Sequence, residues 1–114
     1  MANISPQLLQ KMAQVIADEV APEQVILFGS WAKGTAGPHS DVDLLVIEAA
    51  PFGFGRDRRK EMVRLWRALA RFVVPKDILV YSLDEVERWR HARNHVVARA
   101  LREGKVIYAK PRRD

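Results

Sequence analysis

Two aspartates, Asp41 and Asp43, stand one residue apart where the apolar run LLVIE begins. Residues two apart in a strand point the same way, so both carboxylates would face one side while Val42 and Leu44 face the core. Two like charges this close raise each other's pKa. A cation between them would stabilise the pair, and Mg²⁺ prefers carboxylate oxygens. Because short motifs match by chance, an alternative remains in which Asp41 is an exposed strand end and Asp43 caps or pairs with an arginine.

A third acid, Asp77, stands in the same way before the apolar run ILVY. If its strand lies beside the strand that contains Asp43, all three carboxylates converge at one edge of the sheet. Three converging acids are the usual construction for two metal ions about 3.5–4 Å apart.

A glycine-serine turn that could bind an anion precedes the acids. Gly29 and Ser30 directly follow the apolar run QVILF. Glycine permits a sharp turn and close approach of a ligand to the backbone. Successive N–H groups at the start of a short helix form an anion-binding concavity, to which the Ser30 hydroxyl adds a donor. The segment is no Walker loop, because the GKS/T ending is missing and only Lys33 supplies positive charge. By itself a Gly-Ser pair is more often an ordinary turn.

The elements that must position these residues alternate between helix and strand. Ser5 and Pro6 are typical of a helix start, and Pro22 ends that helix. Ser82 and Glu85 match a capping box that opens a long helix to about Glu103. The remaining predicted elements are strands at Gln24–Phe28, Val42–Glu48, Asp77–Tyr81 and Val106–Ala109, a short turn of helix at Trp31–Lys33, and a helix from Asp57 to about Phe72.

This order predicts an α+β (α/β-like) fold with helices packed on a small mixed sheet. Val63, Trp66, Leu69 and Val73 are expected on the buried face of the middle helix. About a dozen residues join the first two strands, a length that permits an antiparallel return or a tight crossover. We expect one domain over residues 1–110 and a basic tail at 111–114.

Composition narrows the class of protein. The chain has 114 residues, a formal charge of +5 and no cysteine, which excludes disulfides and cysteine-based zinc sites. No apolar stretch approaches 18 residues and the N-terminus lacks a secretory pattern, so a cytoplasmic protein without a membrane span is expected. The positive charge favours an anionic partner, although the two basic stripes, Arg56 to Arg71 and Arg88 to Arg102, are more often solvated helix faces.

Histidines and tryptophans suggest weaker alternatives. His91 and His95 have a spacing that can share zinc, but no further Glu or Cys completes a set, so surface histidines are favoured. For His39, a position in an ordinary loop is favoured over a contact with the triphosphate. Trp66 and Trp89 occupy apolar helix positions that favour core or interface over base stacking.

Taken together, GSWAKGTAGPHSDVDLLV resembles the GS…SDxDLLV signature of nucleotidyltransferases of the DNA polymerase β superfamily. The chain is similar to the small minimal nucleotidyltransferases (MNT) of bacteria and archaea, and the resemblance extends from the leading helix to the closing EGKVIYA. It implies a polymerase β-like fold and binding of metal by Asp41 and Asp43, with Asp77 as the third acid that activates the attacking hydroxyl. The nucleotide-binding set that follows is Gly29, Ser30, Lys33, Gly34 and Ser40.

The resemblance also implies an activity. Members transfer a nucleoside monophosphate from a triphosphate with two Mg²⁺ ions, or Mn²⁺, as cofactors. ATP is the expected substrate, and the expected acceptor is a tyrosine of a helical HEPN protein, for which the chain would be the antitoxin. Two alternatives stay open: a non-catalytic subunit that neutralises its partner by occlusion, and a nucleotidyltransferase for a small molecule or RNA end. A homo-oligomer is left open, and nucleic acid is the less favoured partner. Trp31 stands where many relatives carry arginine or another polar residue, with a role in base stacking or at the partner surface.

Overall fold

The structure is a computed structural model that describes residues 4–111, so residues 112–114 of the predicted tail lie outside the described part. Helices α1 to α5 are Pro6–Val20, Ser30–Lys33, Arg58–Ala68, Leu83–Trp89 and Val96–Glu103. Strands β1 to β4 are Gln24–Phe28, Val42–Glu48, Lys76–Ser82 and Lys105–Ala109. Along residues 4–111 the order of the four strands and five helices is α1-β1-α2-β2-α3-β3-α4-α5-β4.

The strands form one mixed sheet in the order β3-β2-β1-β4. β1 runs antiparallel to β2 and to β4, whereas β2 and β3 are parallel. The antiparallel return is therefore the correct one of the two connections left open between the first two strands. The parallel pair requires a crossover, which α3 supplies.

Helices cover both faces of the sheet, because β2 is apolar in nearly every position and must be buried on both sides. On one face, Leu44 and Val46 pack with α1 and α3. On the other, Leu45 and Ile47 pack with α4 and α5. The result is the predicted α+β architecture, with the ends of β1, β2 and β3 left for the site. Within residues 4–111, none of the helices is both long and apolar enough to cross a bilayer.

The buried face of α3 differs from the prediction. Leu69 is buried as expected, but Val63 and Trp66 are 43% and 40% exposed and Val73 is 91% exposed. The helix ends at Ala68, and Leu65 and Leu69 set the core-facing stripe. Trp66 is one residue, about 100°, around the helix from Leu65, which turns it out of the core.

The predicted long helix after β3 is also wrong, because it is two helices. The Ser82–Glu85 capping box is present and starts α4, but α4 stops at Trp89 and α5 starts at Val96. His95 is extended and its Nδ1 accepts the Val97 N–H at 3.1 Å, so it caps a new helix. The Trp89 ring stacks on His95 with centroids 4.3 Å apart, which closes the connection between the two helices.

Candidate active site

The glycine-serine turn lies at the end of β1, where Gly29 adopts φ +73° and ψ −156° before α2. A side chain is rarely found in that conformation. Space excludes one as well, since a Cβ on Gly29 would lie 2.2 Å from Oδ2 of Asp43. Glycine therefore lets the chain turn and lets the Asp43 carboxylate lie against the backbone. The first turn of α2 leaves the N–H groups of Ser30 and Trp31 without intrahelical acceptors.

The register of the sheet brings the acids together. Asp43 is paired with Asp77 across the parallel strands β2 and β3, and neighbouring residues in register point to the same face. On the antiparallel side, Asp43 is opposite Phe28, the residue before Gly29. Asp41 precedes β2 and shares the side of Asp43 by alternation. The strand ends thus gather the three carboxylates beside the turn at Gly29.

The pKa of Asp43 reflects its burial and the two neighbouring acids. Burial raises the pKa of Asp43 above its ordinary value, and the negative charges of Asp77 and Asp41 raise it further. Within residues 4–111, none of the three forms a salt bridge with a basic side chain. The alternative in which Asp43 pairs with an arginine is therefore not observed in this range. A half-buried carboxylate beside two others is an arrangement that a cation would stabilise.

The donor set fits a hard divalent ion that is only partly coordinated by protein. All the candidate ligands are carboxylate oxygens, which suit Mg²⁺ and Mn²⁺. In the described part of the chain, no group of three or more histidine or acidic side chains forms a site that could hold a metal ion, so Asp41, Asp43 and Asp77 are not by themselves a metal cage. Mg²⁺ is typically bound by one or two carboxylates together with water and substrate phosphates, and does not require such a cage.

Two residues of the expected nucleotide-binding set, Lys33 and Gly34, lie at the end of α2. Lys33 is exposed and its Nζ lies 3.3 Å from Oε1 of Glu103, at the end of α5. Gly34 ends α2 with φ +77°, and its N–H donates to the Ser30 carbonyl. Lys33 is thus close to the turn but already paired with an acid.

Ser40 closes a tight turn directly before Asp41. Its N–H donates to the Gly37 carbonyl at 3.1 Å, and its Oγ accepts the Gly37 N–H at 2.9 Å. The Ser40 carbonyl accepts the indole N–H of Trp31 at 3.0 Å. This contact was missed in the sequence, which offered for Trp31 only base stacking or a partner surface.

The weaker candidates lie elsewhere. His39 is exposed in the loop, as is His91 between α4 and α5. His95 caps α5, and the group of His91 and His95 is not a metal cluster in the described residues. Two grooves of about 630 and 580 Å³ run along α3 instead of over the carboxylates. The acids lie on an open edge, where Asp41 and Asp77 are exposed.

Comparison with known proteins decides the family. The family model for "Polymerase beta, Nucleotidyltransferase" matches residues 10–113. The chain belongs to this family. The match includes the turn at Gly29 and all three acids.

Relatives of this family member include a protein of Methanocaldococcus jannaschii provisionally named the protein adenylyltransferase MJ1305. It is 53% identical over 45 residues, which are 40% of this chain and 29% of the relative. The chain thus matches less than a third of that relative's length.

Among the solved structures that share the fold are two toxin–antitoxin structures. One is the Shewanella oneidensis complex of a tri-AMPylated HEPN toxin with its MNT antitoxin, with a TM-score of 0.60 at 18% identity, covering 92% of this chain and 73% of that one. The other is a toxin-antitoxin with AMP-PNP, with a TM-score of 0.61 at 18% identity, covering 88% and 73%.

Proposed function

We propose that this nucleotidyltransferase transfers AMP from ATP to a hydroxyl of a helical HEPN-type protein, and is the antitoxin for that protein. The observation that carries the proposal is the in-register pairing of Asp43 with Asp77 beside the turn at Gly29. Two similar proteins support the proposal. One is provisionally named a protein adenylyltransferase, and another is an antitoxin in complex with an AMPylated toxin.

In this proposal the triphosphate lies on the turn. Ser30 donates its hydroxyl and, with Gly29, presents backbone to the phosphates. Lys33 and Gly34 lie at the far end of α2, and Lys33 would exchange part of its contact with Glu103 for a phosphate. Ser40 would contribute from the loop. Asp41, Asp43 and Asp77 would hold one or two Mg²⁺ ions, or Mn²⁺, which supply positive charge to the α-phosphate and the leaving group.

The transfer step uses the acids in two ways. Asp41 and Asp43 would hold the metal ion that supplies positive charge to the α-phosphate. Asp77 accepts the proton of the acceptor hydroxyl. The resemblance implies that this hydroxyl belongs to a tyrosine. The acceptor oxygen forms a bond to the α-phosphorus, the bond from that phosphorus to the β-phosphate's bridging oxygen breaks, and pyrophosphate leaves.

A protein acceptor is favoured by the openness of the site. Asp41 and Asp77 are exposed, and the two grooves of about 630 and 580 Å³ follow α3 and not the acids. A small acceptor is usually buried in a pocket that fixes its orientation. An open edge instead needs a large partner to cover it and present the hydroxyl.

The first experiment is calorimetric titration of ATP into the pure protein, with Mg²⁺ and with EDTA. We expect binding that depends on Mg²⁺ and disappears in the Asp41→Asn/Asp43→Asn double variant. An Asp18→Asn variant is the matched control, since Asp18 is an exposed acid on α1. Binding that ignores both the metal and the double variant would contradict the assignment of these acids.

The second experiment adds α-³²P-ATP and a co-expressed HEPN protein. Label on that protein, lost with Asp43→Asn, supports AMP transfer. An Asp43→Asn variant that neutralises the toxin fully would instead favour occlusion. Label that appears on RNA and not on protein would favour the RNA-end alternative.

A further inference from the structure

Trp31 connects the phosphate turn to the loop that carries Asp41. Its ring packs against the core cluster on the α1 and α3 face, which fixes the direction of the side chain. From there the indole N–H reaches the Ser40 carbonyl at 3.0 Å, nine residues along the chain. A residue of α2 therefore holds the residue that immediately precedes Asp41.

The atoms involved determine what this bond fixes. The carbonyl of Ser40 and the N–H of Asp41 belong to one peptide plane, so a bond to the carbonyl orients the plane before Asp41. The plane after Asp41 is held too, because the Val42 N–H donates to the Pro75 carbonyl at 2.8 Å. Asp41 thus lies between two tethered peptide planes, one tied to α2 and one tied to the start of β3.

The remaining bonds of the loop do not supply this tether. Both bonds between Gly37 and Ser40 close the turn on itself and do not join it to the core. The bond from the Thr35 N–H to the Ser30 carbonyl belongs to the end of α2, five residues before Ser40. Because Asp41 is exposed, burial does not restrain its side chain either.

We propose that Trp31 is a positioning residue for nucleotidyl transfer: its indole hydrogen bond to Ser40 holds Asp41 in line with Asp43 and Asp77. The proposal rests on the proposed role of Asp41 in binding metal and triphosphate. In this proposal Trp31 supports the site and does not stack on a base, because its ring packs on the core and its N–H already donates to the Ser40 carbonyl.

The test separates the hydrogen bond from the packing of the ring. Trp31→Phe keeps an aromatic ring and removes the N–H. Trp66→Phe is the matched control, because Trp66 is 40% exposed and its indole N–H donates no hydrogen bond within residues 4–111. A second variant replaces Trp31 by benzothienylalanine, in which sulfur replaces the N–H without a change of shape, so that folding is preserved.

Two measurements are made on each variant. In hydrogen exchange, the amides of Gly37 and Ser40 should exchange faster in both Trp31 variants and not in Trp66→Phe. In calorimetry, the gain in ATP affinity on adding Mg²⁺ should fall about five- to tenfold, the size expected from losing one hydrogen bond. ATP affinity in EDTA should stay the same, which a general structural defect would not produce.

The outcomes separate this proposal from the proposed function. A wild-type chain with Mg²⁺-dependent ATP binding that both Trp31 variants retain in full would overturn the role of Trp31 alone. Unchanged exchange at Gly37 and Ser40 would overturn it as well. A wild-type chain that binds no ATP under any condition overturns both proposals.

Discussion

The carboxylate of Asp43 fills the space that a side chain on Gly29 would need: a Cβ on Gly29 would lie 2.2 Å from Oδ2 of Asp43. The glycine closes β1, and the acid lies opposite the neighbouring Phe28 on β2. The turn proposed to hold phosphate and the acid proposed to hold metal are thus one packed unit. A side chain added at Gly29 would therefore displace the Asp43 carboxylate.

Gly29→Ala should therefore abolish Mg²⁺-dependent ATP binding while the protein still folds. The positive φ and the contact together should lower the free energy of unfolding by roughly 1–3 kcal/mol. Thermal unfolding and calorimetry measure the two effects. Gly55→Ala is the control, because Gly55 also has a positive φ, +83°, but a Cβ added there would have no atom of residues 4–111 within 4 Å. If both variants bind ATP equally, the contact with Asp43 has no importance for the site.

Asp77→Asn should stabilise the metal-free protein while it weakens the site. Asp77 is one of the charges that raise the pKa of Asp43, so its removal relieves like-charge repulsion. A raised folded-state pKa means that stability is lost as the pH rises through it, and this loss should be smaller in the variant. The gain at neutral pH should be roughly 0.5 kcal/mol, because solvent screens the open edge.

Melting temperatures in EDTA at pH 5 and pH 8 test the stabilisation. Added Mg²⁺ should then raise the melting temperature of the wild type more than that of Asp77→Asn. Asp18→Asn should change neither value. A less stable Asp77→Asn protein in EDTA would show that favourable contacts of Asp77 outweigh its repulsion by the neighbouring acids.

Glu48 should make the stability of the fold depend on pH. Its side chain is 5% exposed, Oε2 has no hydrogen-bond partner in the described residues, and Arg56 lies 3.3 Å from Oε1. Burial raises the pKa of Glu48 to about 7, with a further contribution from Glu61 and an opposing one from Arg56. The unfolded value is 4.5, so the stabilisation from protonated Glu48 is complete below that pH and is lost as the pH rises to 7 and beyond.

Glu48→Gln should remove this dependence, since glutamine stays neutral. Between pH 5 and pH 8, the wild type should lose roughly 1–3 kcal/mol of unfolding free energy relative to the variant. Urea unfolding across that range measures it. Glu87→Gln serves as the control, because Glu87 is an exposed acid paired with Arg90. Parallel pH curves for wild type and Glu48→Gln would place the titration elsewhere.

Glu103 should compete with the triphosphate for Lys33. The two side chains are 3.3 Å apart and are 46% and 36% exposed, so the pair is weak. Glu103→Gln should free Lys33 and remove a nearby negative charge, which tightens Mg²⁺-dependent ATP binding about two- to fivefold. Glu87→Gln should leave the affinity unchanged. Weaker ATP binding in Glu103→Gln would mean that the ion pair orients Lys33 instead of restraining it.

Local sequence signals determined most of the elements. β1 and β2 have the predicted bounds because each is an apolar run closed by a breaker or a polar loop. α1 starts at Pro6 with Ser5 as its cap, as the Ser-Pro pair predicts. The GS…SDxDLLV signature was enough to predict the family, which the match over residues 10–113 confirms.

Tertiary packing decided what local signals could not. Helical periodicity put Val63 and Trp66 inside, but the sheet selected the stripe through Leu65 and Leu69. A capping histidine, which ordinary cap preferences do not favour, divided the last helix at His95. Both errors concern choices between alternatives of similar local free energy, where the neighbouring element decides.

The candidate site divides in the same way. The residue types and their one-residue spacing predicted acids on one side of a strand next to a phosphate turn. Only the sheet register puts Asp77 level with Asp43, because nothing within either strand specifies its alignment with the other. Only the folded loop brings the Trp31 indole to Ser40, a contact between residues nine apart that no periodic pattern encodes.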